Sequence, residues 1–158
     1  MARFSNFSMW RGRLPHWRAD DERYYVTFNH KRPLEDKERR ILFAHLLRAQ
    51  RSRLDYMVLV VLPEKSEMIF NVKKNTDGEE YELSDVVEKA KIKAGRQIIK
   101  DSGERWAPFS HESYDRIMRD EAEIEEFANR IVQSPEHEGL AEISEEYDCL
   151  FWEQALRE

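Results

Sequence analysis

The spacing of apolar residues along this chain changes several times, and each change predicts an element. Tyr24–Phe28 (YYVTF) is rich in aromatic and β-branched residues and reads as a strand. Residues 34–50 read as a helix, with Ile41, Leu42, Leu46 and Ala49 on one side. Leu54–Leu62 (LDYMVLVVL) is almost wholly apolar, as expected of a strand covered on both faces. Pro63 and Glu64 interrupt the run. Residues 66–72 then alternate, with Met68, Phe70 and Val72 on one face and Lys65, Glu67, Ile69 and Asn71 on the other. Residues 75–80 form a turn around Asp77-Gly78. Ser84 suits the N-cap of a second helix, with Asp85 and Glu88 favourable in its first turn. That helix runs to about Lys100 and stops near Gly103. Its buried stripe is Val87, Ala90, Ala94 and Ile98, while Lys89, Lys93, Arg96 and Lys100 share another side. Residues 113–118 suit a short last strand. Residues 120–133 form a third helix on an Ile124, Phe127, Ala128, Ile131, Val132 stripe, ended by Pro135 and Gly139.

The order is strand, helix, strand, strand, helix, strand, helix. It predicts an α+β fold, a ferredoxin-like βαββαβ sandwich with an antiparallel sheet, helices on one face and an extra C-terminal helix. One domain spans residues 21–150, and residues 151–158 read as a tail. Residues 1–20 form a basic-aromatic arm, with Arg3, Arg11, Arg13, His16 and Arg18 among Phe4, Phe7, Trp10 and Trp17. Such an arm can stack on bases and pair with phosphates, or pack its rings across the domain.

Composition narrows the classes. No apolar run approaches the ~20 residues that span a bilayer, so no membrane role is expected. The Met1-Ala2-Arg3-Phe4-Ser5 start has no apolar stretch behind it and does not read as a secretory signal. The lone Cys149 excludes a disulfide within the chain and a Cys-based zinc cluster, so the cytoplasm is the default compartment. The net charge of -6 argues mildly against nucleic acid. Its distribution says otherwise. Residues 120–158 hold 13 acidic and 2 basic side chains, a balance of -11, which leaves +5 on the rest. A basic body with an acidic C-terminal third can bind phosphate on one face.

Four segments carry a resemblance. Arg13-Leu14-Pro15-His16-Trp17 followed by Tyr25-Val26-Thr27-Phe28, the apolar strand ending in Leu62-Pro63-Glu64, Trp106 with Ser113-Tyr114-Asp115-Arg116-Ile117-Met118-Arg119-Asp120-Glu121, and Ile131-Val132-Gln133-Ser134-Pro135 with Gly139-Leu140 stand in that order. Together they resemble the HUH-type single-tyrosine insertion-sequence transposases, closest to the REP-associated tyrosine transposases, over residues 10–150. The resemblance implies action on single-stranded DNA, often at the foot of a hairpin. In that family two histidines one residue apart bind a divalent metal, and a tyrosine on a later helix attacks the phosphate. Alternate residues of a strand face one side, so both ligands reach one ion. The metal stabilises charge on the phosphate and the tyrosine forms a covalent intermediate.

This chain departs at all three chemical positions. The histidine positions are Lys65 and Glu67, and counting back from Ser134-Pro135 puts the tyrosine position at Arg130. A protonated lysine cannot ligate a metal, and arginine stays protonated and cannot be the nucleophile. The expectation is no catalytic residue, no metal and no cofactor. His111, Tyr114 and Asp115 lie near the last strand; Tyr114 reads as a packed aromatic. His16, His30, His45 and His137 have no ligand spacing.

Three functions follow as alternatives. The first is recognition of single-stranded or hairpin DNA without nicking, by Lys65, Arg130, the Lys89, Lys93, Arg96, Lys100 stripe, and Arg11, Arg13 and Trp17 of the arm. The second is a protein-interaction or regulatory module working through the acidic C-terminal third, with Phe151 and Trp152 as an anchor or as packed core. The third is a residual single-strand endonuclease using Glu67 with magnesium or manganese. The sequence permits a homodimer.

Overall fold

The computed structural model describes residues 23–50, 52–73, 76–78, 83–110 and 112–153, with the side chains of residues 83–85 excepted. The arm with Arg11, Arg13, His16 and Trp17, as well as His111 and residues 154–158, lies outside the described residues. Strands β1 (Arg23–Asn29), β2 (Leu54–Val61), β3 (Lys65–Val72), β4 (Tyr114–Met118) and β5 (Leu150–Trp152) form one antiparallel sheet in the order β4-β1-β3-β2-β5. Helices α1 (Asp36–Leu47), α2 (Leu83–Ser102) and α3 (Glu121–His137) cover it. The first four strands keep the ferredoxin-like order expected from the sequence.

Local chemistry accounts for the helix ends. At the start of α1 the Glu35 and Glu38 side chains exchange bonds with each other's backbone N–H, a capping box that satisfies two otherwise orphaned donors. The helix is shorter than the apolar pattern implied, because Leu34 lies ahead of the cap and gives its N–H to the Pro63 carbonyl at 2.8 Å. Helix α2 begins at Leu83, so Ser84 is inside it rather than at its cap. Its Val87, Ala90, Ala94, Ile98 stripe is buried as expected.

Helix α3 corrects the expected stop. It does not end before Pro135 but runs to His137, with Pro135 inside it. Pro135 has no N–H to give the Ile131 carbonyl, and the Ser134 hydroxyl donates to that carbonyl at 2.6 Å instead. The helix then closes on Gly139, at φ 71°. The Leu140 N–H reaches the Pro135 carbonyl at 2.8 Å and the Gly139 N–H reaches that of Glu136 at 3.1 Å. These are the paired bonds of a Schellman motif, which needs a left-handed residue at this point.

The C-terminal segment is also different from the expected tail. Phe151 and Trp152 belong to β5, which pairs with β2 through Val58 and Leu59, and Trp152 is buried. In the four-stranded order β2 would be an edge, open to pairing with another chain. β5 covers that edge. This explains why residues 56–62 are all fully buried and why β2 carries an unbroken apolar run. Each such aliphatic side chain contributes about 1.5–3 kcal/mol relative to exposure.

Helices occupy both faces of the sheet. Tyr56, opposite Phe70 on β3, donates its hydroxyl to the Leu46 carbonyl of α1 at 2.8 Å. Alternation sends Tyr25, Glu67 and Ile69 to the other face, where Tyr25 meets Phe127 of α3 edge-on at 5.1 Å. The expected extra helix, α3, is therefore the cover of the second face.

Candidate nucleic-acid interface

Glu67 sits in the middle of β3, the central strand, with 1% of its surface exposed. A carboxylate is almost never buried to this degree without partners. Its partners come from two other elements. Arg130, on the flank of α3 beside its buried stripe, grips it with both terminal nitrogens, Nη1 to Oε1 at 3.2 Å and Nη2 to Oε2 at 2.9 Å. Tyr25, from the neighbouring strand β1, donates its hydroxyl to Oε2 at 2.5 Å. Lys65 Nζ stands 3.5 Å from Oε1. The three residues singled out as degenerate positions are thus brought together, although 63 residues separate Glu67 from Arg130.

The cluster is closed by aromatic rings. The Arg130 guanidinium lies 5.4 Å from the Phe127 ring centre, and Arg116 approaches the same ring at 5.9 Å. Tyr25 packs between Phe127 and Tyr114. Burial pushes the Glu67 carboxyl upward, but the bonds from Arg130 and Tyr25 and the charges of Arg130 and Lys65 outweigh it and hold the group below the ordinary glutamate value. The bond to Glu67 raises Arg130. Burial, reinforced by the Glu67 carboxylate, pushes Tyr25 up to about 12, so its hydroxyl stays protonated at neutral pH. Such a tyrosine is a hydrogen-bond donor here.

This geometry does not suit a divalent metal. Both Glu67 oxygens are already engaged, and the adjacent position offers an ammonium rather than a lone pair. His30, just past the end of β1, faces the other way. Its Nδ1–H donates to the Pro63 carbonyl at 2.9 Å and its Nε2 accepts from the Ser66 hydroxyl at 3.0 Å. Among the described residues no group of three or more His, Cys, Asp or Glu could hold a metal ion.

The remaining candidates lie elsewhere. Lys89, Lys93, Arg96 and Lys100 are all exposed on α2, in the layer across the sheet from Arg130. Tyr114 is exposed on β4, not packed as expected, although its ring touches that of Tyr25. Its edge position leaves one side of the ring uncovered. Cys149 is buried, and burial pushes its thiol up to about 12. Two features escaped sequence reasoning. Tyr25 completes the Glu67 cluster through the β1–β3 register, in which Thr27 lies opposite Glu67. His45 of α1, Arg48 at its C-cap and Arg53 in the turn before β2 face Lys89 and Lys93 across a cleft. No described helix is long and apolar enough to cross a membrane.

No protein-family model matches the sequence, and no curated protein matches it. Among solved structures the fold is similar to that of a REP-associated tyrosine transposase bound to a REP hairpin. The two share 15% identity, with a TM-score of 0.61 over 87% of this chain and 82% of that one. The likeness is one of fold.

Proposed function

We propose that this chain is a transposase-like DNA-binding protein that recognises hairpin or single-stranded DNA and does not nick it. The single observation that supports this most is the Glu67–Arg130 pair. Where the resemblance implies a metal ligand and a nucleophile, the chain has a buried carboxylate gripped by a guanidinium. Neither group can perform the family's step: arginine does not attack phosphate, and the carboxylate has no oxygen to spare. The similar protein of known structure was bound to a REP hairpin, which makes hairpin DNA the first ligand to test.

Binding would rest on phosphate contacts, because these dominate affinity for nucleic acid. The exposed Lys89 and Lys93 of α2 form one such surface. Lys65, Glu67 and Arg130 together keep one net positive charge and form a weaker one.

The test is a pair of measurements on one hairpin oligonucleotide with a single-stranded extension. Binding is followed through a salt series, and the products are run on a denaturing gel with and without magnesium or manganese. Salt-sensitive binding with no shortened strand and no covalent protein–DNA adduct is expected. An adduct, or cleavage that depends on metal and is lost in Glu67→Gln, would show that the fold has kept a nuclease. Absence of binding at low salt would remove DNA recognition altogether.

A further inference from the structure

We infer that the cleft between α1 and α2 is the phosphate-binding site of this protein, and that it seats the sugar-phosphate backbone of DNA. The inference rests on the DNA-binding reading above and gives it a location. The cleft has a volume of about 170 Å³ and is lined by His45, Arg48 and Arg53 on one side and Lys89 and Lys93 on the other, with Ala49 and Ala90 between. None of its described lining residues is acidic. In a chain with 32 acidic and 26 basic side chains, a cleft bounded by four Lys and Arg and no carboxylate needs a cause.

Helix stability does not supply one. A cation at the C-terminus of α1 is favoured by the helix dipole, which accounts for Arg48. Lys89 and Lys93 belong to a different helix, lie within its length and stand four residues apart, a like-charge spacing that weakens a helix. Neither has an ion-pair partner among the described residues. The adjoining cavity makes the contrast. It shares His45 and Arg48, but its own cations are neutralised: Lys37 pairs with Asp101 at 3.3 Å, and Arg40 with Asp36 and Asp148 at 3.0 Å each. Unneutralised positive charge is left on Lys89 and Lys93 where α2 faces the end of α1.

Size and shape select the ligand. Small-molecule sites usually occupy about 300–1,000 Å³, so this cleft is too small to enclose a metabolite but suits one phosphate group of a polymer passing over it. Cations from α2 on one wall and from the C-terminal end of α1 and the turn after it on the other would hold such a group from both sides. The site lies across the sheet from Glu67 and Arg130, so DNA seated in it would not need the degenerate cluster. It also divides the α2 stripe: Lys89 and Lys93 face the cleft, whereas Arg96 and Lys100 do not line it.

That division gives the experiment. The full chain is titrated with a labelled DNA hairpin carrying a single-stranded extension, at several salt concentrations. Lys89→Glu/Lys93→Glu is compared with Arg96→Glu/Lys100→Glu, which makes the same charge change on the same helix. All four positions are exposed, and circular dichroism with a melting curve checks that both variants fold. The cleft variant is expected to bind at least about tenfold more weakly and to lower the salt slope by about 2, one unit for each lost phosphate contact. The control should change affinity by less than about threefold. Equal losses in the two variants would mean diffuse attraction and overturn the site. Undiminished binding by the cleft variant would put the DNA elsewhere and leave the DNA-binding reading standing. Failure of the unmodified chain to bind at low salt would overturn both.

Discussion

Arg130 and Glu67 form a two-pronged ion pair between the second-face helix and the central strand, with one partner buried and the other half exposed. The carboxylate has 2% of its side chain exposed and the guanidinium 46%. Removing the arginine therefore strands a negative charge inside the protein. Arg130→Ala should destabilise the fold by about 1–3 kcal/mol, less than the 3–5 of a fully buried pair because water reaches this guanidinium. Urea unfolding measures it. Replacing both residues by methionine should recover most of the loss, since two apolar groups leave no charge unpaired. A double variant as unstable as Arg130→Ala would show that the pair is not the source of the effect.

The same carboxylate makes stability depend on acid. Its folded value is held below that of an unfolded glutamate, so the contribution is present above the unfolded value, about 4.3, and is lost as pH falls through the folded value. Glu67→Gln cannot titrate there. The gap between wild type and Glu67→Gln in urea midpoint should be full at pH 7 and should narrow below about pH 4. A gap that stays constant across that range would remove Glu67 as the titrating group.

His30 works in the opposite chemical sense with the same dependence on pH. Burial against Phe28 and Phe109, aided by the nearby Lys91 charge and opposed by the bond to Pro63, lowers it from 6.5 to about 4. The folded state thus holds it neutral while the unfolded chain protonates it. Its stabilising effect is complete above about pH 6.5 and falls away by up to about 3 kcal/mol between there and pH 4. His30→Gln should flatten the fall between about pH 6.5 and 5.5, above the range in which Glu67 contributes. Parallel curves for the two proteins would exclude it.

These predictions bear on how much of the molecule was legible beforehand. The three helices and their apolar stripes follow from period, and the order of the first four strands from the βαββαβ succession of elements. Counting back from Ser134-Pro135 places Arg130, which meets Glu67 between α3 and the sheet. The partnership of Tyr25 was not legible, since it depends on the register that sets β1 beside β3. β5 was missed because three residues are too few to show a period. A signal for it existed in β2, whose apolar run demanded cover on an edge that the four-stranded order leaves open. The basic cleft was half visible: a wheel shows Lys89 and Lys93 on one face of α2, but not that Arg48 at the end of α1 and Arg53 in the next turn face them.

The passage of α3 through Pro135 depends on its neighbour. The Ile131 carbonyl would normally accept from the N–H four residues on, which proline lacks, and Ser134 serves it at 2.6 Å in a buried setting. Ser134→Ala should cost about 1–2 kcal/mol, the penalty of an unpaired buried acceptor. Pro135→Ala restores the missing N–H, so in that background the same serine change should cost clearly less. A double-mutant cycle by urea unfolding measures the coupling, expected to be at least about 0.5 kcal/mol for residues sharing one acceptor. Strict additivity would mean that the carbonyl is satisfied in some other way and that the serine does not carry the helix past the proline.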